Sequence, residues 1–594
     1  MQILQWELLF YIFIGGVGMF KLIKQFGYRE NTALLGAAAY LCCGFITDNG
    51  SFIPWITCSA YLPYLFLFFY RLLRQPEFTD SIKLSLAFFL LLSAGYPSYL
   101  IYALYILFLV LICWIIKRYK ERKAILKTLQ FLFCSAVIAA ILSLPLLLSF
   151  SDFFDYYRRG DGASLVQSLE DPFNLFCSIS YLFPNAVAKP HPWFHTDIAM
   201  RNGYVGIFIL IFFIISLRQP YSNLKRLILG ITLFSFLFSL GSTTPIREWC
   251  YNILPLMNTF RHPATMRIFT TLGIILLACQ SIDDFFKEKN SRTFYLFKYA
   301  MVIITLIVTG FVLYYFFTRS DGLLSLSTKN AKAFLDNLSF ADIVIIDGIL
   351  QLIFFVGLFF FIHKKRIVLT ISIVNVVLFA MLSLPFSFIS QTKTKEIDRY
   401  IGSFKSGFPF PSLHDSLISQ DNKIFGVNFS DYDNFYNKKI TIQEKVITPT
   451  LNKAYNTMLA HRSTLDSLRS MPFAFATGAN GLLDSSTQIT INNFSPREIV
   501  FSVKARKPQY FNLIQQFNRN WRVSVDGDKA FPEVAFTAFM KVKIPDGDHT
   551  VKFEYQPGRF LMATMWLSFF VFILLVSFVF LYPLINRFRI NKKH

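Results

Sequence analysis

The strongest constraint on this chain is a series of about thirteen apolar runs separated by short polar segments. An upright membrane helix needs about 20 apolar residues, and several runs are somewhat shorter than that. Charged residues make up only 16% of the 594 residues, whereas about 25% is usual in soluble domains. The sequence therefore predicts a polytopic helical membrane protein. The predicted spans are 3–20, 32–48, 53–71, 82–95, 98–116, 126–150, 203–217, 224–240, 266–282, 297–317, 341–362, 367–389 and 560–585.

Basic residues cluster in every second connection between these runs. Cytoplasmic loops of membrane proteins are enriched in Lys and Arg, so all seven clusters are predicted to lie in the cytoplasm. The formal net charge of +22 is explained by this topology signal, and nucleic-acid binding is not predicted. The clusters are Lys21/Lys24/Arg29, Arg71/Arg74/Lys83, Lys117/Arg118/Lys120/Arg122/Lys123, Arg218/Lys225/Arg226, Lys287/Lys289/Arg292, Lys364/Lys365/Arg366 and Arg587/Arg589/Lys592/Lys593.

The same alternation predicts the domain organisation. Residues 1–390 form a multi-span domain with outward loops at 151–202 and 241–266, and residues 558–594 form a last span with a basic cytoplasmic tail. Residues 391–557 are predicted to lie outside the cell as a mostly-β domain. A surface helix is expected at Leu451–Ser470. Six β-type runs follow, separated by turn signals such as Asp526-Gly527, and predict an antiparallel β-sandwich. These runs are Thr487–Asn492, Glu498–Ala505, Tyr510–Gln516, Trp521–Asp526, Ala535–Ile544 and His549–Tyr555.

The outward loop 151–202 carries acids that could remove a proton from an attacking hydroxyl group. Asp155, Asp171 and Asp197 are the best placed, and Asp48 lies at the edge of the second span. The alternative for the loop acids is that they solvate a surface loop and cap short helices. For Asp48 the alternative is a helix cap or turn.

Cationic and aromatic residues at the predicted outer membrane edge are candidates for substrate binding. Arg261, His262 and Arg267 could hold a lipid-linked phosphate through charge-assisted hydrogen bonds, or could anchor helices at the headgroups. The other candidates are His195, Arg201 and Tyr96, and for Tyr96 a place in an aromatic belt is the alternative. Ile246–Leu254 is predicted to be a short half-inserted or surface helix.

The sequence assigns no metal site. His191 and His195 have the spacing of two ligands on one helix face, but Pro190 and Pro192 oppose a helix and no third ligand follows. The eight cysteines lie mostly in apolar runs, so no disulfide framework is predicted.

The C-terminal region contains Trp521-Arg-Val-Ser-Val-Asp526-Gly527, followed by Gly547-Asp-His549 and Tyr555-Gln-Pro557. This series of motifs resembles the ending of the bacterial YfhO-type membrane proteins. Earlier in the chain, Gly95-Tyr-Pro97-Ser98 resembles a Gly-His-Pro-Gln element of the same family, with Tyr and Ser in place of His and Gln. Phe260-Arg261-His262-Pro263 and Phe183-Pro184 before Tyr204-Val-Gly206 also look similar.

The resemblance implies a GT-C-like architecture in a bacterial cytoplasmic membrane. Such a protein takes a sugar from a polyprenyl-phosphate-linked donor and passes it to an extracytoplasmic envelope glycan or lipid. Arginines, histidines or a divalent cation would stabilise the departing phosphate.

In this family the catalytic acid is expected in a large outward loop after the first span. Here Met1 is predicted to lie outside, and the first connection, Thr47–Pro54, carries only Asp48. The chain is therefore interpreted as lacking the family's first span and loop, so either it is a shortened form or its catalytic acid lies elsewhere. An alternative follows: a catalytically inactive shortened homologue that binds lipid or acts as a scaffold for a protein partner. A transporter is less favoured, because charged residues within the spans are scarce.

Overall fold

A computed structural model describes residues 2–153, 163–287, 292–318, 337–387, 395, 474–478, 484, 486–495, 497–535 and 539–591. The chain divides into two compact units. Unit 1 contains residues 1–143, 163–388 and 571–594, and unit 2 contains residues 144–162 and 389–570. The predicted helix at 451–470 lies outside the described residues.

Long apolar helices dominate the described part of the chain. Nine of the described helices, α1, α4, α6, α7, α12, α13, α14, α15 and α16, are long and apolar enough to cross a membrane. The helices are α1 (Gln2–Gln25), α2 (Glu30–Leu41), α3 (Gly44–Asp48), α4 (Ile53–Arg74), α5 (Phe78–Ser93), α6 (Ser98–Lys117), α7 (Arg122–Phe153), α8 (Leu165–Ser168), α9 (Ile207–Ser216), α10 (Asn223–Ser239), α11 (Ile246–Ile253), α12 (Arg267–Lys287), α13 (Arg292–Thr318), α14 (Phe340–Phe361), α15 (Lys365–Ser387) and α16 (Arg559–Asn591).

The polytopic helical architecture predicted from the apolar runs is confirmed. The four predicted spans that are not among the nine long helices also fold as helices, but they are shorter or broken. Helices α5, α9 and α10 have 16, 10 and 17 residues. The run 32–48 is divided at Cys42-Cys43, where α2 ends and α3 begins. This break brings the C-terminal end of α3 close to the polar loop described below.

The core of unit 1 consists of apolar side chains from most of its helices. Helix α12 is the most enclosed of the nine long helices, with 89% of its apolar window buried, and it packs against α2, α9, α10 and α13. At one end of the bundle the rings of Phe212 and Phe297 stack with centroids 4.7 Å apart.

Unit 2 contains two antiparallel sheets, as the alternating runs predicted. One sheet has the order β1-β4-β8-β7 and the other β2-β3-β9-β5-β6. Both sheets contribute to one apolar core around Phe501, Phe511 and Phe553. The strands are β1 (Ala474–Thr477), β2 (Gln488–Phe494), β3 (Glu498–Ala505), β4 (Gln509–Gln516), β5 (Trp521–Val525), β6 (Asp528–Ala530), β7 (Glu533–Ala535), β8 (Phe539–Ile544) and β9 (Gly547–Tyr555).

The sequence located most of these strands and missed two. Strand β1 is only four residues long, and β6 completes a hairpin whose Asp526-Gly527 turn has positive φ at both residues. The predicted run 535–544 contains part of β7 and all of β8.

Candidate functional site

The described part of loop 151–202 is built from short helical turns with side-chain caps. Ser164 and Gln167 form a capping box at α8, and Asn174 caps a 3-10 helix at Leu175–Tyr181. The Asp197 carboxylate accepts a hydrogen bond of 2.8 Å from the Ala199 amide and so caps the 3-10 helix Ile198–Met200. Caps of this kind satisfy amides that would otherwise lack partners, so the loop holds a defined shape.

Two adjacent acids of this loop face two adjacent basic residues of the segment before α12. Asp171 Oδ2 lies 3.0 Å from His262 Nδ1, and Glu170 Oε2 lies 3.5 Å from the Arg261 guanidinium. The contact with His262 holds the pKa of Asp171 below its ordinary value, so this carboxylate is ionised at neutral pH. We call these four residues the acid–base quartet.

The central pair of the quartet has unusual backbone geometry. Asp171 and His262 both adopt left-handed conformations, with φ of 52° and 61°. Residues other than glycine seldom adopt positive φ, and such residues concentrate at functional sites where the surrounding structure enforces the strain. Here the two strained residues contact each other directly.

An aromatic wall lies beside His262. The Trp55 ring is 6.2 Å from the His262 ring and 5.5 Å from the Tyr96 ring, measured between centroids. Tyr96 in turn contacts Tyr99 at 5.6 Å, and Phe52 stacks on Trp55 at 4.6 Å. Tyr96, predicted as a belt residue or a substrate contact, therefore lies one ring away from the quartet.

Arg247 holds the two halves of the quartet in place. Its side chain is fully buried on the inner face of α11. Its guanidinium donates to the carbonyl oxygen of Ser168 at 3.2 Å, Met257 at 2.9 Å and Phe260 at 2.8 Å. Ser168 precedes Glu170 by two residues, and Phe260 directly precedes Arg261. The sequence analysis did not select Arg247, because its partners are backbone carbonyls that no residue pattern reveals.

A second pair of ionisable residues, Asp48 and Arg267, lies deeper in unit 1. Asp48 accepts a hydrogen bond of 3.2 Å from the Asn202 amide group and interacts electrostatically with Arg267. The side chain of Arg267 is 4% exposed, lies over the rings of Phe45 and Phe173, and donates to the Ala199 carbonyl at 2.8 Å. The sequence predicted both residues as candidates, and in the structure both bind the loop segment 199–202.

The close approach of α3 to the loop fixes the position of Asp48. The Gly44 amide donates to the Tyr204 carbonyl at 2.7 Å. A β-carbon on Gly44 would lie 2.1 Å from the side-chain oxygen of Asn202, the partner of Asp48. Glycine is therefore required at this contact.

The remaining predicted residues have separate environments. Arg201 donates to the carbonyl oxygens of Thr196, Val187 and Lys189, so its guanidinium stabilises the loop itself. His195 is exposed to solvent. Asp155 lies outside the described residues.

A buried acid within a membrane helix was also missed. Asp347 in α14 is 1% exposed and accepts two hydrogen bonds from Asn185, from the backbone amide at 2.9 Å and the side-chain amide at 2.8 Å. Ser383 of α15 donates to the Asn185 side-chain oxygen at 2.7 Å. Asn185 and Ser383 also line a small cavity of about 10 Å³ next to Asp48, large enough for about one water molecule. The run 341–362 contains two acids, Asp342 near its start and Asp347 in its interior. An acid inside an apolar run was a signal that could have identified this contact.

Among the described residues, no group of three or more His, Cys, Asp or Glu side chains could hold a metal ion. His191 packs against Phe340, with ring centroids 4.6 Å apart.

The helical unit and the two antiparallel sheets define a polytopic membrane protein with a β domain near its C-terminus. Residues 482–568 match the family model described as "Bacterial membrane protein YfhO". The match extends from just before β2 into the first part of α16 and confirms the resemblance seen in the C-terminal motifs. No curated protein and no solved structure matches the chain.

Proposed function

We propose that the chain is a membrane glycosyltransferase-like protein. In this proposal a sugar passes from a polyprenyl-phosphate-linked donor to an envelope glycan or lipid on the extracytoplasmic face. The acid–base quartet beside the aromatic wall is the observation that carries the proposal.

The first support is the chemistry of the Asp171–His262 pair. A carboxylate bound to one imidazole nitrogen orients the ring and leaves the other nitrogen for a substrate proton. In the transfer step His262 Nε2 takes the proton of the acceptor hydroxyl. The acceptor oxygen then bonds to the sugar C1, and the bond from C1 to the donor phosphate breaks.

The second support is the position of Arg261. Its side chain is 29% exposed, and its partner Glu170 is 42% exposed, so this ion pair is accessible to solvent. Exposed ion pairs contribute little to stability, about 0–1 kcal/mol, so a phosphate can replace Glu170 at low cost. Arg261 would then bind the phosphate in a bidentate manner and stabilise the charge that develops on it.

The aromatic wall supports a sugar-binding role for the same place. Trp55 is 6% exposed, so its ring is already fixed in position. The half-buried Tyr96 ring beside it offers an apolar surface next to polar groups, the combination typical of small-molecule sites. The Asp48–Arg267 pair, which is buried deeper, would fix the shape of the site beneath this wall.

A transfer assay with the full chain in lipid nanodiscs tests the proposal. The donor is polyprenyl-phosphate [14C]glucose, and the acceptor is a crude bacterial cell-wall fraction. Removing a general base typically costs 10²–10⁴-fold, so His262→Asn and Asp171→Asn should lower transfer by about 100-fold or more. His363→Asn, a change at a histidine that contacts Phe294 elsewhere in the bundle, is the matched control and should keep full transfer.

Three results would count against the proposal. Equal transfer by the His262→Asn variant would remove His262 from the chemistry. Equal losses in both histidine variants would indicate a general folding defect. A wild-type chain that binds the donor without transferring the sugar would favour the alternative of a non-catalytic lipid-binding or scaffold protein.

A further inference from the structure

A groove runs along the surface between α13 and α14, separate from the quartet. Its volume is about 380 Å³. The floor is formed by buried side chains, among them Met301 and Phe355, each 3% exposed. The rims are formed by Leu306 and Phe360, which are 67% and 75% exposed.

The lining is almost entirely apolar, with one charged residue. Eleven residues line the groove, and only Thr305 and Lys298 are polar. A groove of this composition in a membrane-spanning pair of helices suits a hydrocarbon chain. The single cation marks the end at which the head of such a molecule would lie.

The length of α13 places Lys298 near the membrane interface. Helix α13 has 27 residues and is therefore about 40 Å long, whereas the hydrocarbon core of a bilayer is about 30 Å thick. Lys298 is six residues after Arg292, or about 9 Å along the helix. That distance places the lysine near the boundary between headgroups and hydrocarbon, where its ammonium group can extend to a phosphate.

The charge at this end of the bundle is complementary to an anionic headgroup. Phe294 contacts His363 at 5.2 Å, so the start of α13 lies beside the end of α14 and the Lys364–Arg366 cluster. The two acids that α12 contributes at this end, Asp283 and Asp284, each have a partner within the protein. Asp283 is bound to Lys287 at 2.7 Å, and Asp284 accepts from Gln219 at 3.0 Å.

We propose that the α13–α14 groove binds one acyl chain of an anionic phospholipid, whose phosphate contacts Lys298. The site is independent of the proposed transfer reaction. Lipid bound here fills the space between two helices and stabilises their packing.

Native mass spectrometry of the full chain tests the proposal, with phosphatidylglycerol and phosphatidylcholine of identical acyl chains as probes. The wild type should bind phosphatidylglycerol more tightly. Lys298→Ala should weaken that binding by about fivefold, the factor expected for one lysine at an anionic membrane surface. Val356→Trp should weaken binding of both lipids, because Val356 lines the groove and is 56% exposed, so a larger side chain fills the space without disturbing the core.

Lys117→Ala is the matched control, because Lys117 is likewise an exposed lysine near a helix end, in the last turn of α6, but does not line the groove. It should leave binding unchanged. Equal loss with Lys298→Ala and Lys117→Ala would overturn the proposal, since the effect would then be one of general surface charge. Unchanged binding in Val356→Trp would also overturn it. So would displacement of phosphatidylglycerol by an equal concentration of polyprenyl phosphate, because the occupant would then be a donor-type lipid.

Discussion

Removing the guanidinium of Arg247 should destabilise unit 1 and loosen the acid–base quartet at the same time. The three carbonyl acceptors of Ser168, Met257 and Phe260 each receive one buried hydrogen bond from it. Arg247→Met keeps most of the apolar volume but leaves all three acceptors without this donor. At about 1–1.5 kcal/mol for each lost bond, the unfolding free energy should fall by roughly 3–5 kcal/mol.

Equilibrium unfolding of the full chain in mixed micelles, titrated with sodium dodecyl sulfate, measures this loss. Hydrogen exchange followed by mass spectrometry should show lower protection around residues 168–171 and 257–262. Arg226→Met is the matched control, because Arg226 is an exposed arginine in the first turn of α10, and it should change the unfolding free energy by less than about 0.5 kcal/mol.

A loss below about 1 kcal/mol in Arg247→Met would refute the reasoning, because water or a shifted loop would then satisfy the three carbonyls. A large loss with unchanged exchange at both segments would refute the positioning role alone.

Two further predictions concern other parts of the chain. His549 Nδ1 lies 2.6 Å from Asp526 Oδ2, which raises the pKa of His549 and lowers that of Asp526. The histidine's contribution to stability is complete below its unfolded pKa of about 6.5 and is lost as pH rises through the raised folded value. Hydrogen-exchange protection of the β5–β6 hairpin, corrected for intrinsic rates, should therefore fall as pH rises above about 6.5. His549→Gln should abolish that pH dependence, and an unchanged dependence would contradict the assignment. Asp347→Ala should lower the unfolding free energy by about 2–4 kcal/mol, because two buried donors of Asn185 lose their acceptor. The same titration with sodium dodecyl sulfate measures this loss of unfolding free energy. An unfolding midpoint equal to that of the wild type would contradict the prediction.

The sequence predicted those features of the fold that follow from local periodicity. Strand β3 was located to the residue, because Glu498–Ala505 alternates buried and exposed positions between turn signals. The run 32–48 was predicted as one span, because hydropathy alone does not detect the cap at Cys43 that begins α3.

The candidate site was predicted in part, as a set of residue types without their pairing. Asp171 and His262 were both selected, yet they are separated by 91 positions in the chain, and only tertiary packing brings them to 3.0 Å. Arg201 was selected for its charge, although its donors are used by carbonyls of its own loop. In a protein whose polar groups must be satisfied internally, a pattern of residue types cannot distinguish a guanidinium that binds backbone from one that is free to bind a ligand.

Photo-crosslinking with a polyprenyl phosphate analogue tests the central claim most directly. The analogue carries a photoreactive group next to the phosphate and is added to the full chain in nanodiscs, and the labelled peptides are identified by mass spectrometry. The account predicts labelling of the peptides that contain Glu170-Asp171 and Arg261-His262, with weaker labelling in Arg261→Ala. Labelling confined to the α13–α14 groove, or spread evenly over the membrane helices, would contradict it.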